Sequence, residues 1–126
     1  MEINLTGIDT MPAGKEMNTL VAEAMGWAVN RNVTPWIVTD PKGNVRTIGE
    51  DSSFVKWSPS TDNGDAMAIV SATNAECSIC IIHGRHLVEF RYSPELKAEG
   101  MGDTFAVAVC RATLKIAAQR RLLYGS

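Results

Sequence analysis

The sequence predicts an α+β domain: three helices layered on a four-stranded antiparallel sheet of two hairpins, in the order α-β-β-α-β-β-α. Three observations predict it. An alanine-rich stretch, Gly100 to Arg121, has the propensity and spacing of a long helix. Two segments each set a β-prone run on either side of a polar turn. Two shorter stretches of helical spacing precede those hairpins. The 126 residues and 45% hydrophobic content fit a single domain, residues 1–126, with an ordinary core.

In chain order, Ile3 and Leu5 give a short apolar entry. Lys15-Glu16 then leads into Met17 to Gly26, where Met17, Leu20, Val21 and Ala24 share one face and Gly26 is a natural terminator, predicting a first helix of about three turns. Trp27 follows at once, as a core plug beneath the loop or as one wall of a ligand pocket. Trp36-Ile37-Val38-Thr39 and Val45-Arg46-Thr47-Ile48 flank Asp40-Pro41-Lys42-Gly43-Asn44 and form the first hairpin. Gly49 to Ser58 has no clear period and reads as an ordered loop anchored by Phe54 and Trp57. The second helix begins near Asp62, within a run of capping residues, and carries Ala66, Met67, Ile69, Val70 and Thr73 at helical spacing. Glu76 to His83 is β-branched and apolar on both faces, which predicts a central strand covered on each side. The chain turns at Gly84-Arg85-His86 and returns through Leu87 to Tyr92, with Val88, Phe90 and Tyr92 on one face. Ser93 to Glu99 reads as a polar link. In the final helix Phe105, Ala108, Val109, Ala112, Ile116 and Leu123 recur at three- and four-residue steps, so one apolar face must be buried.

Composition narrows the function classes. Twelve basic and fourteen acidic residues give a formal charge of −2, which supplies no sequence-wide attraction for nucleic acid or anionic membranes. A nucleic-acid module would need Arg85, Arg91, Lys115, Arg120 and Arg121 to gather on one face. There is no leader-like start and no apolar run of transmembrane length, which predicts a cytoplasmic protein. The three cysteines read as reduced thiols; Cys77 and Cys80, three apart on a strand, point to opposite faces and suit neither a metal nor a redox pair. His83 and His86, around the second turn, lack a third ligand nearby. No catalytic triad, Cys-His pair or carboxylate pair follows from the spacing, and no cofactor fingerprint is complete, so a non-enzymatic role is expected. Arg111 is the one charge in the first three turns of the last helix. It is either a snorkelling arginine or an anion-binding group beside the helix start.

Three stretches carry a resemblance: Met11 to Trp27; Trp57-Ser58-Pro59-Ser60-Thr61-Asp62; and Gly102-Asp103-Thr104-Phe105-Ala106-Val107-Ala108-Val109-Cys110-Arg111-Ala112. In these the chain resembles the small phage proteins of the α/β/α (ABA) sandwich domain family. It departs from them at Phe105-Ala106-Val107-Ala108, where members typically carry Pro-Leu-Ala-Ile. In size, layering and an arginine on the last helix it is also similar to the phage anti-Thoeris sponges. That second resemblance implies a homo-oligomer in the host cytoplasm that binds a cyclic ADP-ribose isomer and does not cleave it; a cyclic oligonucleotide is the other signalling nucleotide expected as ligand. Such a ligand needs an aromatic face, cations or free N–H groups for phosphate, and polar groups for ribose. Trp27, Phe90 and Tyr92 are the stacking candidates. Arg111 or Arg91 is the anion partner, and Asp103 and Thr104 are the groups for hydroxyls. A phage accessory factor that binds a host protein is the alternative, and it would show an exposed apolar patch in place of a pocket.

Overall fold

The computed structural model describes residues 5–48 and 56–125. The expected anchor Phe54 and the entry residue Ile3 lie outside the described residues. The elements are α1 (Leu5–Ile8), α2 (Lys15–Ala24), β1 (Ala28–Asn30), β2 (Trp36–Thr39), β3 (Val45–Ile48), α3 (Asn63–Ala72), β4 (Glu76–Ile82), β5 (Arg85–Arg91), β6 (Lys97–Gly102) and α4 (Phe105–Tyr124).

The domain is α+β, but the expected four-stranded sheet is instead two three-stranded antiparallel sheets, β1-β2-β3 and β4-β5-β6. Each predicted hairpin is present and gains a third strand. β1 pairs Val29 with Val38, and with three residues it is too short to show alternation. β6 replaces the expected polar link, and its alternation is written in small residues. Ala98, Gly100 and Gly102 are buried while Lys97 and Glu99 are exposed, and a hydrophobic pattern cannot register a face made of glycine. The helix expected after the two glycines is there, but the glycines belong to a strand.

They are needed where they stand. A Cβ on Gly100 would lie 2.3 Å from both Ala108 O and Ala112 N, so β6 packs directly on the backbone of α4. A Cβ on Gly102 would lie 2.8 Å from Val107 Cγ1. Thr104 caps α4 by accepting from Val107 N (3.2 Å), and Gly125 ends it at φ 75°. The helix buries more than one face: Ala106, Ala108, Val109, Cys110, Ala112, Leu114, Ile116 and Ala118 are all buried. Such a helix sits in the middle of a core, with β5 and β6 against it, α2 and α3 also packed on it, and α2 reaching β1 and β3. Leu123, expected on the buried face, is exposed, because the last turn runs past the layers that cover the rest.

Helix α2 ends as its sequence predicts. Gly26 takes φ 82° while Gly26 N donates to Glu23 O (3.0 Å) and Trp27 N to Ala22 O (2.9 Å), the Schellman arrangement that only an unencumbered residue allows cheaply. Trp57 is buried; its indole N–H donates to Asn18 O (3.1 Å), while Asn18 Oδ1 accepts from Ser60 N (2.9 Å) and Ser60 Oγ from Gly14 N (3.0 Å). These bonds satisfy the buried polar side chains of Asn18 and Ser60 and fasten the Trp57–Ser60 segment to α2. Asp62 caps α3 through Asp65 N (3.1 Å).

β4 is not the covered central strand its composition predicted. β5 takes the centre of that sheet and β4 forms its edge. The turn before β5 is also one step earlier than expected: His83 and Gly84 carry positive φ, 51° and 78°, the two-residue turn whose twist matches a hairpin. Arg85 and His86 are therefore strand residues.

Candidate functional site

A cavity of about 610 Å³ opens between the two sheets. The Schellman turn aims Trp27 into it from the end of α2. Trp27 packs on Trp57 with ring centroids 4.4 Å apart and planes tilted by 42°, a stable offset geometry for two aromatic rings. β5 supplies Phe90 and the chain just beyond it Tyr92; Thr73 on the α3 side and Tyr92 Oη share a hydrogen bond that fixes the phenol. One side of α4 closes the cavity with Thr113, Ile116, Ala117 and Arg120, which recur at the spacing of a helical face.

Three cations face the same space. The Arg120 guanidinium sits 4.6 Å from the Tyr92 ring centroid. Arg46 lies 5.4 Å from that of Trp57 and pairs with Asp65 Oδ1 at 3.1 Å. Asp65 is itself held by Ser58 N at 2.9 Å, so Arg46 stands on a fixed carboxylate. Lys42 comes from the β2–β3 turn. In that turn Asp40 Oδ1 accepts from Lys42 N and Asn44 N, each 2.9 Å. The Asn44 backbone N–H above all, helped by the Asn44 side chain and by Lys42, holds the Asp40 carboxyl below its ordinary range. Asp40 is the one carboxylate among the described cavity residues.

Of the residues the sequence pointed to, the structure brings Trp27, Phe90 and Tyr92 together here. It places the others elsewhere. Arg111 is two residues from Thr113, which turns it roughly 160° from the cavity side of α4. There Nη1 donates to Met101 O (2.7 Å) and Nη2 to Met11 O (3.0 Å). Thr104 is occupied as the cap of α4, and Asp103 is exposed and pairs with Arg85 at 3.4 Å. Arg91 is exposed, and by strand parity it lies on the face of its sheet opposite Phe90. Two of the basic residues that a nucleic-acid face would need, Lys115 and Arg120, point apart. Lys115 pairs with Asp9 at 2.7 Å, and Arg120 lies about 140° around the helix from it.

Arg46, Lys42, Arg120 and Trp57 are the site residues the sequence alone did not yield. Arg120 had a signal, since it continues the Thr113-Ile116-Ala117 stripe. Cys77 and Cys80 do point to opposite faces, as their pairing with Phe90 and Leu87 shows. Burial pushes the Cys110 thiol up to about 12. Among the described residues no group of three His, Cys, Asp or Glu could hold a metal ion, and no helix is long and apolar enough to cross a membrane. Comparison with family models, with curated proteins and with solved structures finds no match.

Proposed function

We propose that the protein binds a small anionic nucleotide in this cavity and holds it without cleaving it. Acting inside an infected host, it would keep an immune signalling nucleotide, a cyclic ADP-ribose isomer or a cyclic oligonucleotide, from its effector. The observation that carries this reading is the meeting of aromatic rings and cations in one space: Trp27 and Tyr92 with Arg46, Lys42 and Arg120. Its volume lies within the range of small-molecule sites. The exposed part of Trp27 or Tyr92 offers a face for a base, the guanidinium of Arg120 and the Lys42 ammonium offer charge for phosphate, and Thr113 offers a hydroxyl. Holding the ligand without cleaving it is what the resemblance to the phage sponges implies; Asp40, the one carboxylate among the described lining residues, is engaged by the N–H groups of its own turn. The resemblance to the phage sponges supplies the ligand class.

The test is a thermal-shift and calorimetric screen of the purified protein against cyclic ADP-ribose isomers and cyclic di- and trinucleotides. At a thousandfold excess over its Kd a ligand of the folded state adds about 4 kcal/mol of stability. Arg120→Ala is expected to weaken binding by about 1.5–3 kcal/mol, the usual worth of a hydrogen bond to a charged group, and Tyr92→Ala comparably. The bound compound should return unaltered on release. A screen in which nothing shifts the midpoint, or a ligand whose affinity ignores both substitutions, rejects this site.

A further inference from the structure

Helix α3 runs along the cavity and steadies one cationic group near each of its ends. In its first turn Asp65 Oδ1 accepts from Arg46 Nη1 (3.1 Å) and Asp65 Oδ2 from Ser58 N (2.9 Å). The Arg46 guanidinium is thereby held beside the start of α3, near the Trp57 ring. At the opposite end Thr73, the C-cap, accepts from Ala75 N (3.2 Å) and shares its hydrogen bond with Tyr92 Oη. That bond fixes the ring beside which the Arg120 guanidinium rests. Asp65 and Thr73 are eight residues apart, which along a helix is about 12 Å.

The stretch between these ends is apolar. Ala68, Ile69 and Ala72 of α3 line it, and one turn before Arg120 so do Ile116 and Ala117 of α4. None of these side chains can bind phosphate, and most are small enough to leave room for a ring system. Lys42, on the hairpin that carries Arg46, adds a third positive charge to the cavity. The two arginines are thus not gathered at one point, as a compact anion would require; each belongs to its own end of α3.

We propose that the cavity holds two separate anion subsites, Arg46 toward one end of α3 and Arg120 toward the other, and therefore takes a ligand whose two phosphates are held apart: a cyclic dinucleotide in preference to a cyclic ADP-ribose isomer. This rests on the nucleotide-binding reading of the cavity and narrows its ligand class. In a cyclic dinucleotide each phosphodiester sits between two sugars, on opposite sides of one macrocycle. Each phosphate can meet its own arginine while sugar and base fill the apolar middle. In a cyclic ADP-ribose isomer the two phosphates share a bridging oxygen, so both charges lie at one end and the other arginine is left without an anion. The discrimination comes from the spacing of the cations, since the two ligand classes carry the same charge.

The experiment is titration calorimetry on the full chain with cyclic di-AMP, cyclic di-GMP and cyclic GMP–AMP on one side and cyclic ADP-ribose and its isomers on the other. The tightest dinucleotide is expected to bind at least about tenfold more strongly than the tightest cyclic ADP-ribose isomer, the difference made by one hydrogen bond to a charged group. Arg46→Ala and Arg120→Ala should each weaken that dinucleotide about tenfold or more, and their factors should multiply in the double variant, as they do for separated sites. A cyclic ADP-ribose isomer should respond to one of the two and ignore the other. Arg46→Ala leaves Asp65 without its cation, so Arg46→Ala with Asp65→Asn replaces it if the single variant does not fold; the amide oxygen can still accept from Ser58 N. A cyclic ADP-ribose isomer that binds as tightly as any dinucleotide, or a dinucleotide that senses only one arginine, overturns the two subsites and leaves the nucleotide cavity standing. Binding of no compound in either set rejects the cavity reading, and this inference with it.

Discussion

Arg111 joins two carbonyls that are far apart in the chain, Met101 O on β6 and Met11 O ahead of α2, and its Nε is buried without a partner. A guanidinium in that position is a tie between the two ends of the domain. Arg111→Ala should therefore lower stability by about 2–3 kcal/mol, the cost of stranding partly buried acceptors of a charged donor. It should leave nucleotide affinity unchanged, and chemical denaturation beside calorimetry reads both; a lost affinity with intact stability would return Arg111 to the site. From the sequence, a lone charge in an apolar helix was visible, but its partners lie 10 and 100 residues away, and no local pattern discloses them. The aromatic half of the cavity was legible for the opposite reason. Trp27 is placed by a helix terminator one residue earlier, and Phe90 and Tyr92 share a face by strand parity. The cationic half was not, since Arg46 and Lys42 come from the first hairpin and face Arg120 only because α2 packs on both β3 and α4.

Among the elements, β6 and α4 approach each other as closely as backbones allow, and two glycines make this possible. Gly100→Ala sets a methyl against the main-chain atoms of Ala108 and Ala112, which cannot rotate away, so a loss of about 3 kcal/mol or more is expected. Gly102→Ala meets a valine side chain first and should cost less, about 1–2 kcal/mol. Urea titrations of the two variants check the order, and equal effects would mean that the close contact is not where the strain falls. Helices α2, α3 and α4 were legible because each begins or ends on a residue with a mechanical reason: Asp62, Thr104, Gly26. The two hairpins were legible because their turns are. The third strand of each sheet was not, one being too short to alternate and the other alternating between glycine and charge. β4 was misread as covered on both faces because a strand that is apolar on both sides looks the same in sequence whether or not a layer of its own chain covers it.

At the scale of the whole molecule, the cavity borrows its walls from both sheets: Arg46 and the Asp40–Asn44 turn from the first, Phe90 and the adjoining Tyr92 from the second, with Trp27 from the end of α2 and with α4 between. A ligand seated there touches both sheets, each of which packs against the helices. Hydrogen exchange with a saturating nucleotide should slow both in residues 40–44 and near Tyr92 and Arg120, while the amides of β4 are unaffected. Protection confined to one sheet would show that the ligand sits elsewhere. The same arrangement divides α4 into sides with different freedoms. Where Ala108 and Ala112 meet glycine there is no room for a single added carbon. Where Thr113, Ala117 and Arg120 line the cavity, the side chains border open volume in place of packed backbone. The helix is thus held like a blade in a handle: its mounting side resists nearly any change, and its working side can exchange residues without moving the axis. A lineage under pressure to follow a changing ligand could vary those three positions freely while the scaffold that presents them stays the same.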